Sequence, residues 1–242
     1  GSIASYKARW CVDGKRAVYG IHYDDTFSPT VRAASVRALW AKAMSLGVRP
    51  YMTDVESAFL NAYLDKAVYV SCPQGYERYD EDGVPMVAMV LKALYGMPQA
   101  PRCWHDEVAK RLLKHDFKRS EADPCVFTYQ HGDKFMGLAL QVDDFMRVAS
   151  HPELHDWLHD EVLKGYVCKD EGLADCFLGV QSEWLNDHTV LLHQERYFDD
   201  LGKRFSKFLL KKKVKTPMDP MFKLTDEDLA DKCSPEEWQV YQ

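Results

Sequence analysis

Between residues 135 and 148 the chain reads FMGLALQVDDFMRV: an apolar run, two adjacent acids, then a second apolar run. Short apolar runs bounded by turn residues predict buried strands. The stretch therefore predicts two strands with Asp143 and Asp144 at the bend. The same alternation predicts strands at 50–55, 67–71 and 86–94, and a hairpin of 125–130 with 135–142 joined by His131-Gly132-Asp133. A second hairpin is predicted for 176–185 and 189–193 around Asn186-Asp187. Helical spacing takes over elsewhere. Ser28 and Pro29 suit the start of a helix and Gly47 its end, with Val36, Leu39, Ala43 and Leu46 on one stripe. A short helical stretch is expected at 57–64. Pro101 opens a helix reaching Phe117, with Trp104, Val108 and Leu112 on its inner face, and further helices are predicted over 152–164 and 194–205. Residues 73–85, rich in Gly, Pro and acids, read as an exposed loop. Hairpins interleaved with helices predict an α+β fold, an antiparallel sheet packed on helices.

Composition narrows the classes. The 242 residues suffice for one large domain or two small ones, and 46% hydrophobic with 28% charged residues is the balance of a soluble globular chain. No apolar run approaches the roughly 20 residues needed to cross a bilayer, and no signal peptide is expected. Seven scattered cysteines without a C-x-x-C pair argue against a disulfide framework or a zinc knuckle, and a reducing compartment is the simplest reading. A net charge of −6 does not advertise nucleic acid, yet Lys203, Arg204, Lys207, Lys211, Lys212, Lys213 and Lys215 form a run with no acid between them. That run reads equally as a solvated helix face or as a grip on a polyanion.

The candidate chemistry rests on acids at strand ends. Asp is a common turn residue, so Asp143-Asp144 alone reads as a turn. Asp54 changes the weighing, because it also ends a predicted strand. One carboxylate after one strand and a pair in a hairpin suit Mg2+, a hard cation taking oxygen ligands. Two such ions can activate a hydroxyl and stabilise a departing phosphate. Strand-end aspartates are common, and other readings stay open on spacing alone.

Blocks around these acids carry a resemblance. They are Tyr6-Lys7-Ala8-Arg9, Thr26-Phe27-Ser28-Pro29, Asp54-Val55 with Ala58-Phe59-Leu60-Asn61, Pro73-Gln74-Gly75-Tyr76, and Leu94-Tyr95-Gly96 with Gln99-Ala100-Pro101-Arg102. They continue with 120–125, Val142-Asp143-Asp144, His193-Gln194-Glu195-Arg196-Tyr197 and 216–220. In this order the chain resembles the reverse transcriptase of copia-type LTR retrotransposons, over nearly its whole length.

The resemblance implies a right-hand polymerase. Residues 1–50 and 73–100 would form fingers, 51–72 and 101–193 a palm with a primer-grip hairpin, and 194–242 the start of a thumb. Integrase and RNase H are absent from the sequence. It implies an RNA-directed DNA polymerase extending a primer on RNA or DNA with deoxynucleotides. Asp54, Asp143, Asp144 and the Val55 carbonyl would hold two Mg2+ ions, or Mn2+. Phe59, Gln99, Lys7 and Arg9 would contact the incoming nucleotide, though Phe59 also reads as core, Gln99 as a turn residue, and Lys7 and Arg9 as a solvated strand face. Gln141, Leu192, His193, Lys211, Lys212 and Lys213 would meet primer and template. The family's Y-V-D-D is here Gln141-Val142-Asp143-Asp144, which leaves a non-catalytic, domesticated nucleic-acid binding module as the alternative. A homodimer and polyprotein neighbours (integrase, RNase H) are both open as partners. Cytoplasmic virus-like particles are the expected location, with the nucleus also open.

Overall fold

The computed structural model describes residues 8–206. The chain divides into two compact units, residues 1–175 with 184–190, and residues 176–183 with 191–242. Lys7, the 216–220 block and the lysines at 211–213 lie outside the described residues.

The first unit opens with a 3-10 turn, Gly14–Arg16, followed by α1 (Ala33–Leu46) and β1 (Tyr51–Val55). A second 3-10 turn, Ala58–Asn61, leads to a two-stranded ribbon of β2 (Tyr63–Ser71) and β3 (Val87–Lys92). Then come α2 (Ala100–Lys114), β4 (Lys118–Arg119), β5 (Val126–His131), β6 (Lys134–Gln141) and β7 (Asp144–Ala149). The unit continues with α3 (Glu153–Trp157), a π-helical turn at Leu158–Val162, and β8 (Cys168–Leu173). Six strands form one antiparallel sheet in the order β4-β5-β6-β7-β1-β8.

Strand alternation explains the layers. Met136, Leu138 and Leu140 of β6 and Phe145 of β7 enter one core with Trp104, Val108 and Leu112 of α2 and with Leu154 and Leu158. The opposite face meets α1. A Cβ on Gly137 would stand 2.7 Å from Leu39 Cδ2, so any larger residue there would force the Leu39 side chain to move. Trp40 joins Val36, Leu39 and Ala43 on the buried face, while Leu46 is only half-buried.

Of the second unit, β9 (Cys176–Phe177) is followed by a turn with Leu178 and Gly179 both at positive φ. The turn interrupts the strand expected at 176–185. β9 pairs with β10 (Val180–Asn186), which pairs with β11 (Thr189–His193), a hairpin whose residues 184–190 are grouped with the first unit, and α4 (Glu195–Arg204) follows.

The α+β expectation with antiparallel sheets holds; several boundaries move. α1 starts at Ala33, not Ser28, because its first turn is capped from afar. Asp123 Oδ2 accepts hydrogen bonds from Arg32 N (2.9 Å) and Ser35 Oγ (2.6 Å), and its Oδ1 accepts from Cys125 N (3.0 Å). Of the short helical stretch expected at 57–64 only the 3-10 turn Ala58–Asn61 forms: Ser57 sits at φ 53 before it, and β2 begins at Tyr63. The 152–164 helix slips into the π turn, where Leu163 N donates to Leu158 O at 2.8 Å. Among the described residues no helix is long and apolar enough to cross a membrane.

Candidate active site

The site is a matter of register. Asp54 on β1 pairs with Asp144 on β7, and on its other side with Lys169 on β8. Directly paired residues of antiparallel strands project from the same face, with Cβ atoms about 5 Å apart. Asp144, Asp54 and Lys169 thus form a row across three neighbouring strands. Asp143 lies beside it, in the two-residue turn between Gln141 and Asp144.

That turn is strained and held. Val142 has φ 57, a region a β-branched residue rarely adopts. Trp104 Nε1 donates to the Val142 carbonyl at 2.6 Å, and Val55 N donates to the Asp143 carbonyl at 3.0 Å. One bond comes from α2 and the other from β1, so the turn that carries Asp143 is fixed both by the helix packed on the sheet and by the neighbouring strand.

The acids crowd one another. Burial, then the charges of Asp143, Asp54 and Glu171, push the Asp144 carboxyl up to about 6. Asp54 is also raised, by burial first and then by Asp143 and Glu171, while Lys169 pulls it back down. The three carboxylates offer hard oxygens, the ligand type of Mg2+ and Mn2+, and the Val55 carbonyl is a further oxygen of the same type. Among the described residues no three His, Cys, Asp or Glu side chains already converge as a metal cage. In chemistry and charge the residues fit a divalent cation; enclosing one requires the carboxylates to turn toward it.

Tyr95 joins the acids, a residue whose importance sequence reading missed. Burial, then the charge of Asp143, raises its phenol, and Asp54 also contributes. Its ring meets Phe59 at 4.7 Å between centroids, and Arg9 lies over it at 4.2 Å. Phe59 and Arg9 therefore reach the acids through Tyr95. Two glycines lock this column: Val12 N donates to Tyr95 O at 2.8 Å, and a Cβ on Gly96 would stand 2.0 Å from Val12 O. A Cβ on Gly14 would likewise stand 2.0 Å from Gly96 O.

Gln99 goes elsewhere. As the residue preceding α2 it turns inward, 1% exposed, and its Nε2 donates to His22 O at 3.1 Å. With Arg16, Tyr69 and Met97 it lines a cavity of about 90 Å3 that none of the three acids lines. Gln141 ends β6 opposite Asp144. Leu192 and His193 lie on β11 of the second unit, where Glu195 N donates to His193 Nδ1 at 3.4 Å. Arg9 is exposed. Lys7, Lys211, Lys212 and Lys213 lie outside the described residues.

Behind the row, on the other sheet face, Arg147 of β7 is fully buried and pairs with Asp170 of β8. The pair spans β1, with the guanidinium 5.5 Å from the Tyr51 ring. Burial, then Arg147, pushes His155 down to about 4, and His159 is lowered for the same reasons. His159 Nε2 lies 3.3 Å from Thr53 Oγ1. β8, with Lys169, Asp170 and Glu171, was not expected as a strand. Its residues Lys169-Asp170-Glu171 are all charged, which a hydrophobic pattern does not register as a strand.

A profile of the reverse transcriptase (RNA-dependent DNA polymerase) family matches residues 2–220. The chain is 33% identical over 225 residues to the retrovirus-related Pol polyprotein from transposon RE1 of Arabidopsis thaliana, covering 93% of this chain and 15% of that protein. It is 32% identical over 225 residues to the retrovirus-related Pol polyprotein from transposon TNT 1-94 of Nicotiana tabacum, covering 92% of this chain and 17% of that protein. The chain thus spans under a fifth of the length of these relatives.

Proposed function

The chain belongs to the reverse transcriptase (RNA-dependent DNA polymerase) family, as a domain of the copia type, and from that premise we propose that it extends a primer on an RNA or DNA template by metal-dependent nucleotidyl transfer. The observation that carries the reading is the Asp144–Asp54 register pair with Asp143 in the held turn beside it. Two divalent ions, when bound, supply activation of the primer 3′-hydroxyl and neutralisation of the leaving pyrophosphate. The chain contributes position. Asp54, Asp143, Asp144 and the Val55 carbonyl hold the charge, and the Trp104 and Val55 hydrogen bonds fix Asp143 where it is needed. Phe59 and Tyr95 offer two rings in tilted contact beside the acids for the nucleotide sugar, and Arg9 offers a cation for its phosphates.

The same reading assigns residues 1–50 and 73–100 to fingers, 51–72 and 101–193 to a palm, and 194–242 to the start of a thumb. Integrase and RNase H would be its neighbours in a longer polyprotein, and virus-like particles its setting. Primer extension on separate RNA and DNA templates with Mg2+ or Mn2+ tests the proposal. Incorporation is expected on both and is expected to vanish in the variant carrying Asp143→Asn with Asp144→Asn; activity surviving that double change rejects it. Gln141 at the family's tyrosine position favours a second reading, a binding module without catalysis. That reading expects salt-sensitive binding of a primer–template duplex with no incorporation at any Mg2+ or Mn2+ concentration.

A further inference from the structure

Lys169 and Glu171 are not explained by stability. Their ion pair, 3.1 Å between Nζ and Oε1, joins side chains that are 64% and 40% exposed, and such pairs contribute about 0–1 kcal/mol. Their placement is specific, however. β8 slips register between Met52 and Thr53, so Gly172 faces Met52, Asp170 faces Thr53, and Glu171 is the extra residue of a bulge. Gly172 takes φ 80 there, and its N–H donates to Asp170 Oδ1 at 2.8 Å. Asp170 is in turn tied to buried Arg147. The backbone beneath Lys169 and Glu171 is therefore anchored, while both side chains stand on the side of the acid row. Lys169 is the direct register neighbour of Asp54 and the cation that opposes the acids there. Glu171 bears on both Asp54 and Asp144.

We propose that Lys169 is a built-in counter-cation of the acid row, its charge shared with Glu171, and that it holds down the row's affinity for a free divalent cation. The inference rests on the metal-dependent reading above. A unit positive charge next to Asp54 repels an arriving divalent ion, and Glu171 draws that charge partly away from the carboxylates. The two residues therefore act in opposite directions. Removing Lys169 strengthens cation binding. Removing Glu171 weakens it, because one negative charge is lost and Lys169 is released toward Asp54. The consequence is that the free row is a weak metal site, which fills when an anionic triphosphate brings further oxygens and charge.

The test is direct titration of the whole chain with Mn2+, reading free Mn2+ by electron paramagnetic resonance without nucleotide. Lys169→Met is expected to lower Kd roughly three- to tenfold and Glu171→Gln to raise it by a similar factor, effects that shrink with added salt. The double variant is expected near the wild-type value, and Lys169→Arg is expected to preserve weak binding, marking charge and not shape as the cause. Melting temperature checks each fold. An unchanged or higher Kd in a folded Lys169→Met protein overturns the inference alone, provided Asp54→Asn still abolishes binding. Binding that survives Asp54→Asn with Asp143→Asn and Asp144→Asn instead overturns the metal reading on which the inference stands.

Discussion

Val142 stores strain where the acids meet. A β-branched residue at positive φ costs on the order of 1–3 kcal/mol, and it persists here because Trp104 and Val55 bind the two carbonyls of its turn. The crowding of the carboxylates has a measurable consequence as well. Asp144 titrates at about 6 when folded, above the ordinary value of roughly 4. The folded state therefore binds a proton that the unfolded state has lost. Its contribution to stability is full below pH ~4 and is lost as pH rises through 6. His155 runs the other way: it titrates at about 4 when folded and near 6.5 when unfolded, so its contribution is full above pH 6.5 and is lost as pH falls toward 4. In chelator, Asp144→Asn is expected to raise the melting temperature relative to wild type at pH 7.5 and to leave it nearly unchanged at pH 4. A melting curve series across that range decides it. The three acids were legible one by one, as carboxylates at strand ends. Tyr95 and Lys169 were not, because what matters in them is which residue lies across from them, and neither hydrophobic pattern nor local spacing encodes that.

At the scale of elements, the misread segments share a cause: each is shaped by a partner distant in sequence. α1 was assigned a local cap, but its first turn is satisfied by Asp123, whose carboxyl stays low because the hydrogen bonds from Ser35, Arg32 and Cys125 outweigh its burial. Asp123→Ala is expected to cost about 2–4 kcal/mol in urea unfolding, since three donors lose one acceptor at a buried site. β8 was invisible because both its faces are polar, one turned to the acid row and the other to Arg147. A strand of that kind lacks the apolar alternation by which strands are recognised. Its ion pair, between fully buried Arg147 and half-exposed Asp170, gives a sharp expectation. Asp170→Ala strands the Arg147 guanidinium in the core and is expected to cost about 3–5 kcal/mol, whereas Arg147→Met with Asp170→Ala together is expected to cost much less, because no buried charge is left alone. Equal losses in the two variants count against this account. α2 and the β6–β7 hairpin were read nearly to the residue, because their apolar stripes face a core that their own sequences announce.

For the molecule as a whole, the α+β class was legible from the alternation of hairpins and helices, whereas the division into two units was not, because it cuts through the β10–β11 hairpin and follows no composition boundary. The family match runs across both units. The order of the central sheet carries one more consequence. β1, the strand that bears Asp54, lies between β7 and β8, and both of its neighbours come much later in the chain. A ribosome delivers β1 long before either exists. Until then its backbone donors and acceptors have no ladder and its buried side chains Met52, Thr53 and Val55 have no cover. The acids therefore come together only when β7 has emerged to pair with β1, and Lys169 joins the row when β8 follows. A growing polypeptide stopped short of β7 holds Asp54 as a residue without holding the site, so the site arrives late in translation, as a property of topology.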